Sequence, residues 1–186
     1  SPLCPSLLNS TVNWYAGNIG YRRPQIRATK CIEIAEETDL KMEAALTRNI
    51  GDDTSNFTPG DAGEDAGLPA FQARAGLTFD VLEAGSTVLG VSGHWGEEEM
   101  DTSASGDHED FDSWSVNADF VQPINDWLAI RAEFFSGENL VSYFGGIGQG
   151  VNTNTNEEIG SKGGWISASL GPWDKWRFNI GVSVDD

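Results

Sequence analysis

From Trp176 to Asp185 the side chains alternate without a break. Trp176, Phe178, Ile180, Val182 and Val184 share one face, and Arg177, Asn179, Gly181, Ser183 and Asp185 share the other. A period of two belongs to an extended strand, whose successive Cβ atoms point to opposite sides. The pattern returns along the chain. Phe71, Ala73, Ala75, Leu77 and Phe79 oppose Gln72, Arg74, Gly76 and Thr78; Trp114, Val116, Ala118 and Phe120 oppose Ser115, Asn117 and Asp119. Leu128, Ile130, Ala132 and Phe134 oppose Arg131 and Glu133, with Phe135 out of step. Weaker members run over Gln25–Ile34 (interrupted by Lys30), Leu40–Thr47, Thr87–Trp95 and Trp165–Leu170, with Thr11–Ala16 a further candidate. About nine strands and no helical stretch predict an all-β chain.

The connections come in two lengths, and the lengths alternate. Short ones are expected at Glu36–Asp39, Asp80–Gly85, Gln122–Asp126 and Pro172–Lys175, and long ones at Asn49–Pro69, Gly96–Ser113 and Gly137–Lys162. Short turns at one end and long polar loops at the other describe an antiparallel up-and-down transmembrane β-barrel. Trp127 and Trp176 open strands just after short turns, Trp173 lies within one, and Trp95 and Trp114 flank a long loop. Indole rings favour a membrane–water boundary, so this placement is expected of aromatic rows at both rims. The mean hydropathy of −0.33 fits the same picture, because lumen-facing residues dilute the average.

Several strings in this order resemble porin-like outer-membrane proteins of Gram-negative bacteria: YRRPQIR from Tyr21, SGHWG from Ser92, QPINDW from Gln122, GENL from Gly137 and GGIGQGV from Gly145. The resemblance runs from about Asn18 onward and implies a barrel in the cell outer membrane, with the bilayer and lipopolysaccharide as neighbours. It implies passive diffusion of ions or small hydrophilic solutes and no catalytic residues. Residues 1–186 then read as a single β-barrel domain, part of a larger barrel. The odd strand count and an end at Asp185-Asp186 rather than on an aromatic both point that way. A strand ending at Asp185 is therefore expected to pair with a further strand, from more chain or from a partner such as a second copy.

Charge and motifs narrow the chemistry. With 29 acidic against 11 basic residues the net charge is −18, which argues against nucleic acid as a partner. Cys4 and Cys31 fit no metal-ligand spacing and leave open whether they pair. No nucleophile–base–acid set is visible, so an enzyme is not expected; His94 beside Ser92 reads as a polar wall residue. The Gly145–Gly150 run lacks the Lys-Ser/Thr of a phosphate loop and reads as a flexible or inward-folding loop. The pore-lining candidates are Arg74, His94, Asn117, Asp119, Arg131, Glu133 and Arg177, a set mixing both signs. Asp101, Ser103, Ser105, Gly106 and Asp112 partly imitate a calcium loop, so Asp101, Asp107 and Asp112 are metal candidates for a loosely bound Ca2+, against the simpler reading of a solvated acidic loop. The competing architecture is a soluble secreted β-sandwich module binding carbohydrate or a surface, with Trp14, Tyr15 and Trp165 as exposed stacking platforms.

Overall fold

The computed structural model describes residues 24–48, 67–101, 108–143, 145–152 and 154–186. Its strands are β1 (Gln25–Ala35), β2 (Thr38–Thr47), β3 (Ala70–Leu82), β4 (Gly85–Asp101), β5 (His108–Asn125), β6 (Leu128–Glu138), β7 (Val151–Asn152), β8 (Glu157–Glu158), β9 (Gly160–Trp173) and β10 (Trp176–Asp185). Eight of them form one antiparallel sheet in the order β1-β2-β3-β4-β5-β6-β9-β10, while β7 and β8 make a small separate ladder. Neighbours in sequence are neighbours in space, apart from an excursion over 139–159 between β6 and β9. Eight of the expected strands correspond to this sheet; the candidate at Thr11–Ala16 lies outside the described residues.

The short connections are two-residue turns at Glu36–Glu37, Glu83–Ala84, Asp126–Trp127 and Asp174–Lys175. Glu37 and Asp174 adopt left-handed φ values of 58° and 56°. At the third turn, Asn125 Oδ1 accepts the Trp127 N–H at 3.0 Å. A register shift lies beside every one of these turns. An extra residue on one side of a ladder sharpens the right-handed twist, so each hairpin is coiled where it turns back.

One expected loop is largely strand. β4 continues to Asp101 and β5 begins at His108, so the Gly96–Ser113 connection shrinks to residues 102–107 between strand ends. Glu97 pairs with Asp112, Glu98 with Phe111 and Glu99 with Asp110. The ladder needs only backbone groups, and the run of acids hides the alternation on which a sequence reading depends.

Burial is distributed the reverse of a water-soluble sheet. The face carrying Ile180, Val182 and Val184 leaves them 69%, 70% and 65% exposed, and Phe71, Val91, Val116, Phe134 and Ile166 are likewise exposed. The opposite face buries Glu98, Ser113, Ser115, Asp119, Glu133 and Ser167 to 4% exposure or less. Buried apolar groups are confined to the polar side and its covering: Ala45, Ala70, Phe111, Phe135 and Trp165 on the strands, Leu140 and Tyr143 on the excursion. A sandwich would bury the apolar face against a second sheet, and among the described residues none covers it. Trp165, expected exposed as a stacking platform, is 4% exposed because its strand parity turns it to the polar side; Trp14 and Tyr15 lie outside the described residues.

Candidate functional site

The polar face is read most easily as cross-strand rows. One row runs Thr29, Glu43, Arg74, Ser92, Asn117, Phe135, Gly163 and Asp185 from β1 to β10. The next runs Cys31, Lys41, Gly76, Gly90, Asp119, Glu133, Trp165 and Ser183. Between them lies the densest charge. Arg74 Nη2 donates to Asp119 Oδ2 at 2.6 Å and Nε donates to Oδ1 at 3.2 Å, a two-point contact that crosses the intervening β4. Glycine makes the crossing possible: a Cβ at Gly90 would run into the Asp119 carboxylate and the Arg74 guanidinium. Glu43 extends the strip, with Lys41 Nζ at 3.1 Å, Arg27 Nη1 at 3.6 Å and Arg74 Nη1 at 4.0 Å. Positive and negative groups therefore alternate across β1 to β5, and Glu133 continues the strip directly opposite Asp119.

A second cluster fastens the excursion to the wall. His94 on β4 has Ser115 Oγ 2.8 Å from Nδ1 and Ser113 Oγ 3.1 Å from Nε2. The Ser113 hydroxyl donates to the Asn139 carbonyl at 2.8 Å, so its one proton is committed there. Nε2 must then carry the imidazole hydrogen, and Nδ1 accepts from Ser115 in the neutral ring. Asn117 Nδ2 donates to Ser115 Oγ at 3.1 Å. The Tyr143 ring stacks on His94 with centroids 3.7 Å apart. Glu98, also on β4, accepts from Asn139 Nδ2 at 3.1 Å and from the Ser142 hydroxyl.

The remainder of the excursion lies between β9 and β5. Gly146, Ile147 and Gly148 have φ values of 64°, 51° and 77°, a left-handed turn beside β9. A β-branched residue in that region is a strained exception. Toward β5, the Asp112 N–H donates to Glu158 Oε1 at 3.0 Å and Asn156 Nδ2 to Glu109 Oε2 at 2.7 Å. The expected inward-folding loop is thus a segment lying on the polar face.

The pore-lining candidates all occupy the polar parity of their strands, but they do not form one group. Arg74 and Asp119 touch each other; His94 and Asn117 meet through Ser115. Glu133 lies opposite Asp119 and Arg131 opposite Ser167. Arg177 sits by the bulge between Trp176 and Phe178 and is exposed. Glu98, Ser113, Ser115, Asn139 and Tyr143 escaped the sequence reading. The S-x-S-x-N-x-D run from Ser113 to Asp119 was their one visible signal.

The calcium candidates are not brought together. Asp101 pairs with His108 and Asp112 with Glu97, so the two aspartates stand four ladder positions apart. That is roughly 13 Å between their backbone positions at the strand rise. Asp107 lies outside the described residues. Cys31 is exposed on β1 and unpaired, and Cys4 also lies outside the described residues.

The apolar face carries aromatic residues at both ends. At the short-turn end, Trp127 and Trp173 have ring centroids 6.2 Å apart, and Phe178 lies 5.8 Å from Trp173 and 6.5 Å from Trp176. At the other end one cross-strand row reads Leu46, Phe71, Trp95 and Trp114. The Trp114 indole N–H donates to Glu138 Oε2 at 2.9 Å, so its polar edge is satisfied while its body stays on the apolar side. Between the rows, β2 to β5 present Leu, Met, Ala, Val, Phe and Gly on this face, with Thr38, Thr87 and Gln122 as uncharged polar exceptions in the row of Phe79 and Ile130; the Thr87 hydroxyl donates to Gln122 Oε1 at 2.7 Å, and Lys30 on β1 is the charged exception among mid-strand positions.

No protein-family model, curated protein or solved structure matches this chain.

Proposed function

We propose that this chain forms wall and infolded loop of a porin-like β-barrel channel in a Gram-negative outer membrane, for passive diffusion of ions or small hydrophilic solutes. The supporting observation is the inverted sheet: apolar side chains exposed along every strand of one face, charged and hydroxyl groups buried on the other. Such a face is unfavourable in water at roughly 25 cal/mol per Å2, and it is the face a bilayer requires. The aromatic rows fit the same reading. Phe71 and Phe79 are eight residues apart on β3, about 26 Å along the strand and about 20 Å along the normal at a 40° tilt, near the height of a barrel's apolar band.

In this reading the charged strip of β1 to β6 lines the solute path, and the excursion narrows it by lying across that face. Its bonds to His94, Glu98 and Ser113 serve as fastenings; the Ser113 proton is engaged by Asn139 rather than poised for removal by His94. The measurement is conductance: the chain folded in detergent and added to a planar bilayer should produce discrete, ohmic steps. Partition into the aqueous phase without detergent, as a folded β protein, would overturn the membrane reading.

A further inference from the structure

Ile147 stands in a place that its side chain does not suit. Its φ of 51° and ψ of 35° are left-handed, between Gly146 at φ 64° and Gly148 at φ 77°. A branched Cβ crowds the following carbonyl there, which is why glycine and asparagine usually hold such positions. The other non-glycine residues with positive φ among the described residues are Glu37, Asn139, Asn156 and Asp174. Glu37 and Asp174 sit in two-residue turns, and the two asparagines hydrogen-bond Glu98 and Glu109 through their side chains. Ile147 alone among them is β-branched.

The chain on either side imposes the turn. Before it, Leu140 is fully buried and its carbonyl accepts the Tyr143 and Gly145 N–H groups, each at 2.9 Å. After it, the Gln149 N–H donates back to the Gly146 carbonyl at 2.9 Å, and the Ile159 N–H donates to the Gly150 carbonyl at 2.7 Å. None of these bonds involves the Ile147 side chain, which is 62% exposed. Packing within the chain therefore gives little reason for isoleucine here. A strained residue without compensating contacts points to a role outside the fold.

We propose that Ile147 is a specificity-determining residue of the channel, an apolar knob that touches permeating solutes and favours organic cations bearing alkyl groups. This rests on the channel reading above. The turn lies beside β9, where a Cβ on Gly146 would meet the Ser161 hydroxyl at 3.6 Å, so the knob stands on the polar side. Val91, Val116, Ile166 and Ile180 are exposed like it, but all face the other side of the sheet. Charge selects the sign of the solute. Glu97, Asp110, Asp112 and Glu158 lie at the end where the excursion leaves and rejoins the sheet, and they concentrate cations there. An alkyl group then leaves water on meeting Ile147.

The test measures bi-ionic reversal potentials of the full chain in planar bilayers. The probes are tetraethylammonium and tris(hydroxyethyl)methylammonium, cations of similar size whose arms end mainly in methyl or in hydroxyl groups. The parent should pass the first more readily. In Ile147→Gly and Ile147→Asn that permeability ratio should fall by roughly fourfold, the effect of losing one methylene contact. Both replacements suit a left-handed backbone, so the excursion keeps its fold, and a change in width alone acts on both cations alike. Ile147→Val, which keeps an apolar side chain, should retain most of the ratio. Normal conductance steps with an unchanged ratio in the glycine and asparagine variants overturn the proposal and leave the channel reading standing. Absence of steps from the parent overturns both.

Discussion

Arg74 on β3 and Asp119 on β5 grip each other over the backbone of Gly90, the glycine of the strand between them. The Asp119 side chain is 1% exposed and that of Arg74 15%, so the pair depends on geometry rather than on solvent. Removing one partner strands the other charge in a poorly solvated site. Asp119→Ala should destabilise the folded chain by about 3 kcal/mol, and Arg74→Met with Asp119→Leu should recover much of that loss. Urea unfolding in lipid vesicles, run as a double-mutant cycle, measures both; additive single effects would show that the contact carries no coupling.

The two faces should respond oppositely to one new charge. Ile180→Arg places a guanidinium at mid-strand on the apolar side and should cost roughly 2–4 kcal/mol in a bilayer. Asn179→Arg, one residue away on the polar side, should be far milder. Lys30→Leu should stabilise the protein, by less than that range because a lysine stem can carry its charge toward the rim. Equal penalties for Ile180→Arg and Asn179→Arg would remove the basis for assigning one face to lipid.

Acidic residues outnumber basic ones 29 to 11, and Glu97, Glu99, Asp110, Asp112, Glu157 and Glu158 gather at the long-loop end. A channel with this mouth should prefer cations, and the preference should shrink as salt shortens the screening length to ~10 Å at 0.1 M. Reversal potentials across a salt gradient give the sign. Anion selectivity at low salt would mean that these acids do not control entry.

Ile147 holds a left-handed backbone at φ 51° while its side chain is 62% exposed, so little packing offsets the strain. Ile147→Gly should stabilise the excursion by about 1 kcal/mol, whereas Ile147→Ala should not. Glu98→Ala should act the other way, releasing Asn139 and Ser142 and exposing 139–159 to protease. Amide exchange across the excursion would register both effects.

Alternation alone made eight strands and their facing legible, because each strand carries its own period of two. Trp127, Trp173 and Trp176 marked the short-turn rim equally well, since their positions relative to turns are local facts. The continuation of β4 through Glu97 to Asp101 was hidden, as consecutive acids carry no hydrophobic signal while their backbones pair normally. The Glu98–Asn139 and His94–Tyr143 contacts were hidden for another reason. They join residues more than 40 positions apart through a segment with no periodicity, and nothing local in Glu98 announces its distant partner.

The reversed burial also determines where this chain can fold. In water its strongest collective drive is to bring Phe134, Ile166, Ile180 and their neighbours together, which would turn the sheet inside out and leave Asp119 and Glu133 stranded on the wrong side. Dilution into buffer should therefore yield aggregates rather than the native ladder, and lipid or detergent has to be present while the strands zip up. On the bilayer reading proposed above, a cell making such a chain would keep it unfolded until it meets lipid: the solvent is then part of the folding instruction, and in transit it is the wrong one.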